Sequence, residues 1–198
     1  ATHPNAVIFL TCDAYGIMPP VARLDSNQAM YHFISGYTAK MAGTETGIVD
    51  PIAAFSPCYG GPFLTLHPLV YAKLLQEKLS KHRAPIYLVN TGWSGSNASS
   101  GSKRIDLKLT KHIIDLITDD KLDFNDSVKD KFFNLDIPIN LEGLDNDFLV
   151  PDQGWKNLDE YYKTGNMLTE LFNKNFQKFD ISDQDILNAG PKTQSGGL

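Results

Sequence analysis

The sequence predicts an α/β domain in which helices flank a mixed β-sheet. Two β-prone apolar segments, Val7–Cys12 and Ile86–Val89, have the length of buried strands, and each stops at a polar turn. Between and after them, apolar residues recur at intervals of three and four, which is the pattern of amphipathic helices. Strands that alternate with such helices are typical of α/β domains.

The composition of the 198 residues is that of an ordinary globular chain, with 42% hydrophobic and 21% charged residues. A formal net charge of −5 argues against nucleic acid or an anionic membrane as the main partner. No apolar run reaches the length of a membrane span, and we expect a cytoplasmic protein. Cys12 and Cys58 adjoin apolar segments, which favours small buried thiols over a disulfide framework.

The first strand leads into the segment Asp13–Gly16, where glycine allows a tight turn. The carboxylate of Asp13 is either positioned for chemistry or serves as a loop or capping group. Pro19 and Pro20 then stiffen the backbone ahead of Arg23. Arg23 is therefore either an ordinary surface charge or a fixed cation that binds an anion.

A first helix is expected to begin at a cap formed by Asp25 or Ser26 and to fade toward 40–43. Its apolar residues belong to the core, and His32 is expected to be an interior or edge histidine whose hydrogen bonds are satisfied. The loop that follows, Gly43–Pro51, is either a mobile lid or a plain connection.

The remaining elements follow from apolar periodicity and from proline. Pro68 suits the first turn of a helix, and Pro138 limits its segment to an edge strand or an extended stretch. The predicted elements are helices at 68–82, 109–117 and 158–179 and the proline-limited segment at 132–139.

The connection after the second strand consists largely of Ser, Gly and Asn and ends in Lys103 and Arg104. Ligands of open α/β sheets bind at strand carboxyl ends, and a guanidinium can stack on a base or pair with a phosphate. A phosphate-binding P-loop would have Ser or Thr after its lysine, whereas here Arg104 follows Lys103. The connection is thus a candidate nucleotide contact without being a P-loop, and the alternative is a flexible surface loop.

Seven segments recur in the order and spacing of one enzyme family: Val7–Gly16, Pro19–Leu24, Tyr31–Lys40, Ala42–Glu45, Leu66–Pro68, Asn90–Trp93 and Lys103–Ile105. Together they resemble the ATP-dependent phosphoenolpyruvate carboxykinases. The resemblance extends over most of the chain and corresponds to the C-terminal third of such an enzyme. Because the chain also starts at Ala1 and enters a strand almost at once, we expect a piece of a longer polypeptide.

The resemblance implies the C-terminal part of a two-domain, P-loop-containing carboxykinase. Residues 1–190 would form its nucleotide- and substrate-binding portion, and 191–198 a flexible tail. Members of the family convert oxaloacetate and ATP to phosphoenolpyruvate, ADP and CO2 in gluconeogenesis, and they use Mg and Mn. The P-loop and the metal ligands would lie in the N-terminal part of the same enzyme, so no residue of this sequence is expected to bind metal.

The resemblance also implies roles for individual residues. Arg23 matches an arginine that contacts both the oxaloacetate or phosphoenolpyruvate site and the transferred phosphate, and it is the expected catalytic residue. Arg104 would stack or pair at the adenosine end of ATP. Ile105 would add backbone and apolar contact, and Thr110 would hydrogen-bond to the nucleotide. The segment Gly43–Pro51 resembles the lid of the cleft.

Two alternatives to the enzyme stay open. The chain could be a non-catalytic nucleotide-binding module that kept the edge around Arg104, or it could be a purely structural fragment. The isolated chain is expected to lack carboxykinase activity, and association into a homo-oligomer is left open.

Overall fold

The computed structural model describes residues 3–40, 51–100 and 103–195. Within these ranges the strands are β1 (Val7–Thr11), β2 (Val21–Leu24), β3 (Tyr37–Lys40), β4 (Ile52–Phe55), β5 (Ile86–Asn90), β6 (Ser127–Lys129) and β7 (Asp136–Pro138). Five of them form a sheet in the order β1-β5-β2-β7-β6, and β3 pairs with β4. β1 is parallel to β5, whereas the other pairings are antiparallel, so the predicted mixed sheet is confirmed.

Helices pack around the sheet, as the α/β class requires. Short 3₁₀ turns lie at Pro57–Tyr59, Gly61–Phe63, Ala98–Ser100 and Gln177–Phe179. The described helices are α1 (Ser26–Ser35), α2 (Pro68–His82), α3 (Leu107–Thr118), α4 (Asn146–Leu149), α5 (Pro151–Gly154), α6 (Leu158–Phe176) and α7 (Gln184–Asn188).

β5 is an interior strand between β1 and β2, and all five of its residues are buried. Its last residue, Asn90, pairs in register with Thr11 at the end of β1. Because β1 and β5 are parallel, their carboxyl ends meet at one side of the sheet, which we call the carboxyl edge. β2 runs the other way and places Arg23 opposite Tyr87, near the beginning of β5.

α1 begins at the predicted cap and ends earlier than predicted. The Asp25 carboxylate accepts hydrogen bonds from the amides of Asn27 and Gln28, and the Gln28 side chain accepts one in return from the Asp25 amide. The helix ends at Ser35 instead of fading toward 40–43. Gly36 adopts a left-handed conformation with φ of 54°, and a Cβ at this position would lie 1.7 Å from the carbonyl oxygen of Ser56.

Successive side chains of β5 point to opposite faces of the sheet and enter two apolar cores. Leu88 belongs to the larger core, which also contains residues of α1, α2 and α6. Tyr87 and Val89 belong to the smaller core, which contains residues of α3. Phe172 of α6, the helix predicted at 158–179, also lies in the larger core.

The segment that contains Pro138 differs from its prediction. β7 is an interior strand between β2 and β6, not an edge strand, and at that end of the sheet the edge is β6, which the sequence did not indicate. Pro138 is tolerated because β2 pairs with β7 only at Asp136, two residues earlier. On its other side Pro138 pairs with Ser127 of β6.

The described part of the predicted tail is hydrogen-bonded to the domain. The Lys192 amide donates to the carbonyl of Phe132 over 2.9 Å. Gln194 exchanges two hydrogen bonds with the side chain of Asn166 on α6. Among the described residues no helix combines the length and apolar character needed to cross a membrane.

Candidate functional site

Asn90 organises the carboxyl edge. Its fully buried side-chain oxygen accepts hydrogen bonds from the amides of Asp13 and Gly92, at 3.0 and 2.8 Å. Its side-chain nitrogen donates to the carbonyls of Met18 and Trp93, at 3.1 and 2.7 Å. One amide thereby joins the loop after β1, the approach to β2 and the loop after β5, and it uses all its ordinary hydrogen-bonding capacity.

Asp13 is a structural group of the loop after β1 and not a group positioned for chemistry. Its carboxylate is fully buried and accepts hydrogen bonds from the amides of Tyr15, Ile17 and Met18 and from the hydroxyl of Tyr37. Burial raises the pKa of the carboxyl group, and these hydrogen bonds oppose the rise. A substrate has no access to this group, so Asp13 holds the loop that approaches Arg23.

The glycines of the loop after β5 are used for packing within the protein. A Cβ on Gly92 would lie 2.2 Å from the carbonyl oxygen of Asp13. Gly95 has a φ of 71°, and a Cβ there would lie 2.9 Å from the Cα of Gly154. The chain therefore approaches itself closely at these positions, and the loop is a packed connection where it is described.

Arg104 returns to the carboxyl edge. Its Nε donates to the carbonyl of Thr91, and its Nη2 donates to the Thr91 hydroxyl over 3.2 Å. The side chain is exposed, so the guanidinium is fixed at the edge while one side of it faces solvent. The next residue, Ile105, donates its amide to the carbonyl of Gly92 over 2.7 Å.

Thr110 lies one turn into α3, close in sequence to these two residues. Its hydroxyl donates to the carbonyl of Asp106 over 3.3 Å and keeps lone pairs that can accept. The Asp106 carboxylate caps α3 by accepting the amide of Lys108 over 2.7 Å. The helix N-terminus thus already has a carboxylate, which disfavours a phosphate at the same place.

Arg23 lies elsewhere on the sheet. It pairs in register with Tyr87, and Thr91 lies four residues further along, about 13 Å at the ordinary rise of a strand. Its guanidinium is 3.7 Å from the Asp136 carboxylate, and its Cζ is 4.5 Å from the centroid of the Phe124 ring. The structure therefore brings Arg104, Ile105 and Thr110 together and leaves Arg23 separate from them.

Sequence reasoning missed the residues that hold these side chains. Asn90 and Thr91 belong to a segment that resembles the family, but no role was assigned to either, and Phe124 and Asp136 were not singled out. The one available signal was a polar amide directly after a run of buried apolar residues, where a side chain can be buried only if it is hydrogen-bonded.

The two cysteines differ in exposure. Cys12 is buried, as expected, and burial raises its pKa while the charge of Arg104 opposes the rise. Cys58 is half-buried, and burial raises its pKa to about 11. Neither thiol has the lowered pKa of a nucleophile.

The predictions about metal binding and about the lid concern other parts of the molecule than the carboxyl edge. No group of three or more His, Cys, Asp or Glu residues that could hold a metal ion occurs in the described ranges. Residues 41–50, which include all of the predicted lid except Pro51, lie outside the described residues.

The family model and the curated relatives that match this chain carry the same description. The family model described as phosphoenolpyruvate carboxykinase matches residues 1–147. A protein of Caldanaerobacter subterraneus subsp. tengcongensis named phosphoenolpyruvate carboxykinase (ATP) is 48% identical over 190 residues, which are 96% of this chain and 36% of that protein.

Eukaryotic proteins of the same name are similar to an almost equal degree. One from Dictyostelium discoideum is 47% identical over 192 residues, 96% of this chain and 34% of that protein. One from Emericella nidulans is 44% identical over 194 residues, 98% of this chain and 32% of that protein. The chain thus spans about a third of the length of the curated relatives that it matches.

Proposed function

Because this chain belongs to the phosphoenolpyruvate carboxykinase (ATP) family, we propose that it forms one wall of the active cleft of such an enzyme. The reaction converts oxaloacetate and ATP to phosphoenolpyruvate, ADP and CO2, and its metabolic setting is gluconeogenesis. The whole polypeptide would be a two-domain, P-loop-containing enzyme of which this chain is the C-terminal part. A cytoplasmic location stays a prediction.

The observation that carries the proposal is the position of Arg104. A planar cation that is bonded to Thr91 on one side and exposed on the other can stack on a base or bind an acceptor without first being ordered. The amide of Ile105 is already used within the protein, which leaves its half-buried side chain for apolar contact. The Thr110 hydroxyl can accept a hydrogen bond from an exocyclic amine.

Arg23 is proposed to act at the other end of the nucleotide. Tyr87 and Thr91, the chain positions that adjoin Arg23 and Arg104, are about 13 Å apart along β5, and we propose that one extended molecule of ATP bridges them. Phosphoryl transfer depends on cations that are positioned against the oxygens of the transferred group. An arginine held by an aromatic ring suits this task, and the same guanidinium can bind a carboxylate of the substrate.

Mg and Mn are proposed to be held by the N-terminal part of the enzyme. The described residues of this chain offer no cluster of metal ligands, so they do not fit a metal site of their own. When bound, such ions neutralise phosphate charge and polarise oxygens of the reactants. The contribution of this chain would be to bind the nucleotide, orient the transferred phosphate and contact the substrate.

The test compares the isolated chain with the longer polypeptide that contains it. ATP-dependent release of CO2 from oxaloacetate is expected from the longer polypeptide and not from the chain alone. Nucleotide binding by the longer polypeptide without any turnover would instead identify a non-catalytic nucleotide-binding module. Absence of both binding and turnover would leave only a structural role.

A further inference from the structure

Three charged residues form a row across β2, β7 and β6. Arg23 of β2 lies opposite Asp136 of β7, and Asp136 lies opposite Lys129 of β6. Directly opposed side chains in antiparallel strands are close enough to interact. The row therefore places one carboxylate between two cations, and these cations compete for it.

Lys129 is much the closer partner of Asp136. Its Nζ lies 2.8 Å from Oδ1 of Asp136, whereas Nη2 of Arg23 lies 3.7 Å from Oδ2, beyond hydrogen-bond distance. Lys129 also donates to the carbonyl of Asn134 over 3.3 Å, which fixes the ammonium group between two acceptors. The carboxylate is thus engaged mainly by Lys129.

Arg23 is held by an aromatic face. Its Cζ lies 4.5 Å from the centroid of the Phe124 ring, and Phe124 is itself buried and stacked on Tyr87 with centroids 6.0 Å apart. A cation–π contact orients a guanidinium without using its N–H donors. With 45% of the side chain exposed, these donors are accessible to a ligand.

We propose that Lys129 is a positioning residue that engages Asp136 and so keeps Arg23 available for a phosphate or carboxylate anion. Without Lys129, Asp136 would be left with Arg23 as its cationic neighbour in the row, and the two side chains would close into a direct ion pair. The anion would then have to compete with an internal carboxylate. This inference rests on the proposed function only in taking the anion of Arg23 to be the transferred phosphate or the substrate.

The test measures anion binding at Arg23 directly. The Nε–Hε NMR signal of Arg23 reports on its surroundings, and inorganic pyrophosphate serves as the probe ligand. Lys129→Met should weaken pyrophosphate binding about two- to fivefold, the range that corresponds to one exposed ion pair. Asp136→Asn in the Lys129→Met background should restore the affinity, since the competing carboxylate is then gone.

Lys131→Met is the matched control for loss of one positive charge. Lys131 and Lys129 have the same side-chain exposure, 51%, but Lys131 faces Asp152 at 3.8 Å. The proposal requires Lys129→Met to weaken binding more than Lys131→Met does. Equal effects of the two substitutions would overturn it, because only the general loss of charge would then matter.

The double variant separates positioning from direct contact. If Lys129 itself contacts the anion, Asp136→Asn cannot restore binding in the Lys129→Met background, and the proposal is wrong. The proposed function is tested separately by Arg23→Ala in the longer polypeptide. Unchanged turnover in that variant would reject the catalytic role of Arg23 while the NMR titration still decided the role of Lys129.

Discussion

Arg104 and Thr91 are thirteen residues apart in the chain and are joined by two hydrogen bonds, one to the main chain and one to the side chain of the threonine. The main-chain bond anchors the arginine to the end of β5 whatever residue occupies position 91. The side-chain bond depends on the hydroxyl and sets the orientation of the guanidinium plane. This division allows the orientation of Arg104 to be changed without removing its charge.

Thr91→Val should therefore raise the KM for ATP of the longer polypeptide by about threefold, because it removes the hydrogen bond to Arg104 and also the one that the same hydroxyl donates to the Thr11 carbonyl over 3.0 Å. Arg104→Ala should raise it by about tenfold or more, since the fixed cation is lost as well. Nucleotide titration measures both effects. The control is Thr118→Val. The hydroxyl of Thr118 donates only to the carbonyl of Asp115 among its described contacts, so its loss should leave the KM unchanged.

Arg23→Ala should lower kcat by on the order of a hundredfold or more, the scale of losing one preorganised charge contact in a transition state. Steady-state kinetics of the longer polypeptide measures the change. Lys73→Ala removes an exposed charge on α2 and should have no effect. Unchanged kcat and KM in the Arg23 variant would remove this residue from the catalytic site.

His32 is buried, but its Nε2 has no hydrogen-bond partner among the described residues, so the expectation of a satisfied histidine was wrong. This histidine should make the protein less stable in mild acid. Burial holds its pKa at about 4, against 6.5 in the unfolded chain, so only the unfolded state takes up a proton between these values. The contribution of His32 to stability is therefore complete above pH 6.5 and is lost as the pH falls toward 4. The total loss is about 3 kcal/mol by linkage.

Urea denaturation between these pH values measures the effect as a difference between variants. His32→Leu should lack this part of the pH dependence, whereas His112→Gln, at a half-buried site on α3, should keep it. Asp13 and Asp130 have pKa values raised by burial, which act in the opposite direction. They are present in all three proteins, so their contribution cancels in the comparison.

Gly92→Ala should destabilise the fold by about 2 kcal/mol or more, because the added Cβ meets backbone that cannot move aside. The nearest atoms would be the oxygen and nitrogen of Asp13, at 2.2 and 2.5 Å. Gly60→Ala is the matched control, since its nearest atom would lie 3.8 Å away. Equal stability of the two variants in urea would show that the loop relaxes.

Local signals predicted much of this fold. Pro68 and Asp25 mark the beginnings of α2 and α1, because a fixed φ and a side-chain acceptor act within one turn of helix. The apolar runs of β1 and β5 were equally clear. The end of α1 was not, since the clash that requires Gly36 involves Ser56, a residue from a different element.

The contrast between local signals and contacts from distant elements also applies to the candidate site. The proximity of Arg104, Ile105 and Thr110 follows from their closeness in sequence. The position of Arg23 depends on the antiparallel pairing of β2 with β5, and β2 has only four residues, too few for a recognisable pattern. The partners of Arg23 come from β7 and from the segment before β6, more than a hundred residues away, where sequence periodicity carries no information.

The hydrogen bonds of Asn90 have a consequence for the order of folding. They join positions 72 and 77 residues apart in the chain, so they close long loops. Closing such loops has an entropic cost, and the hydrogen bonds offset this cost once other contacts hold the same strands together. We therefore expect the carboxyl edge, including the position of Arg104, to form late in folding.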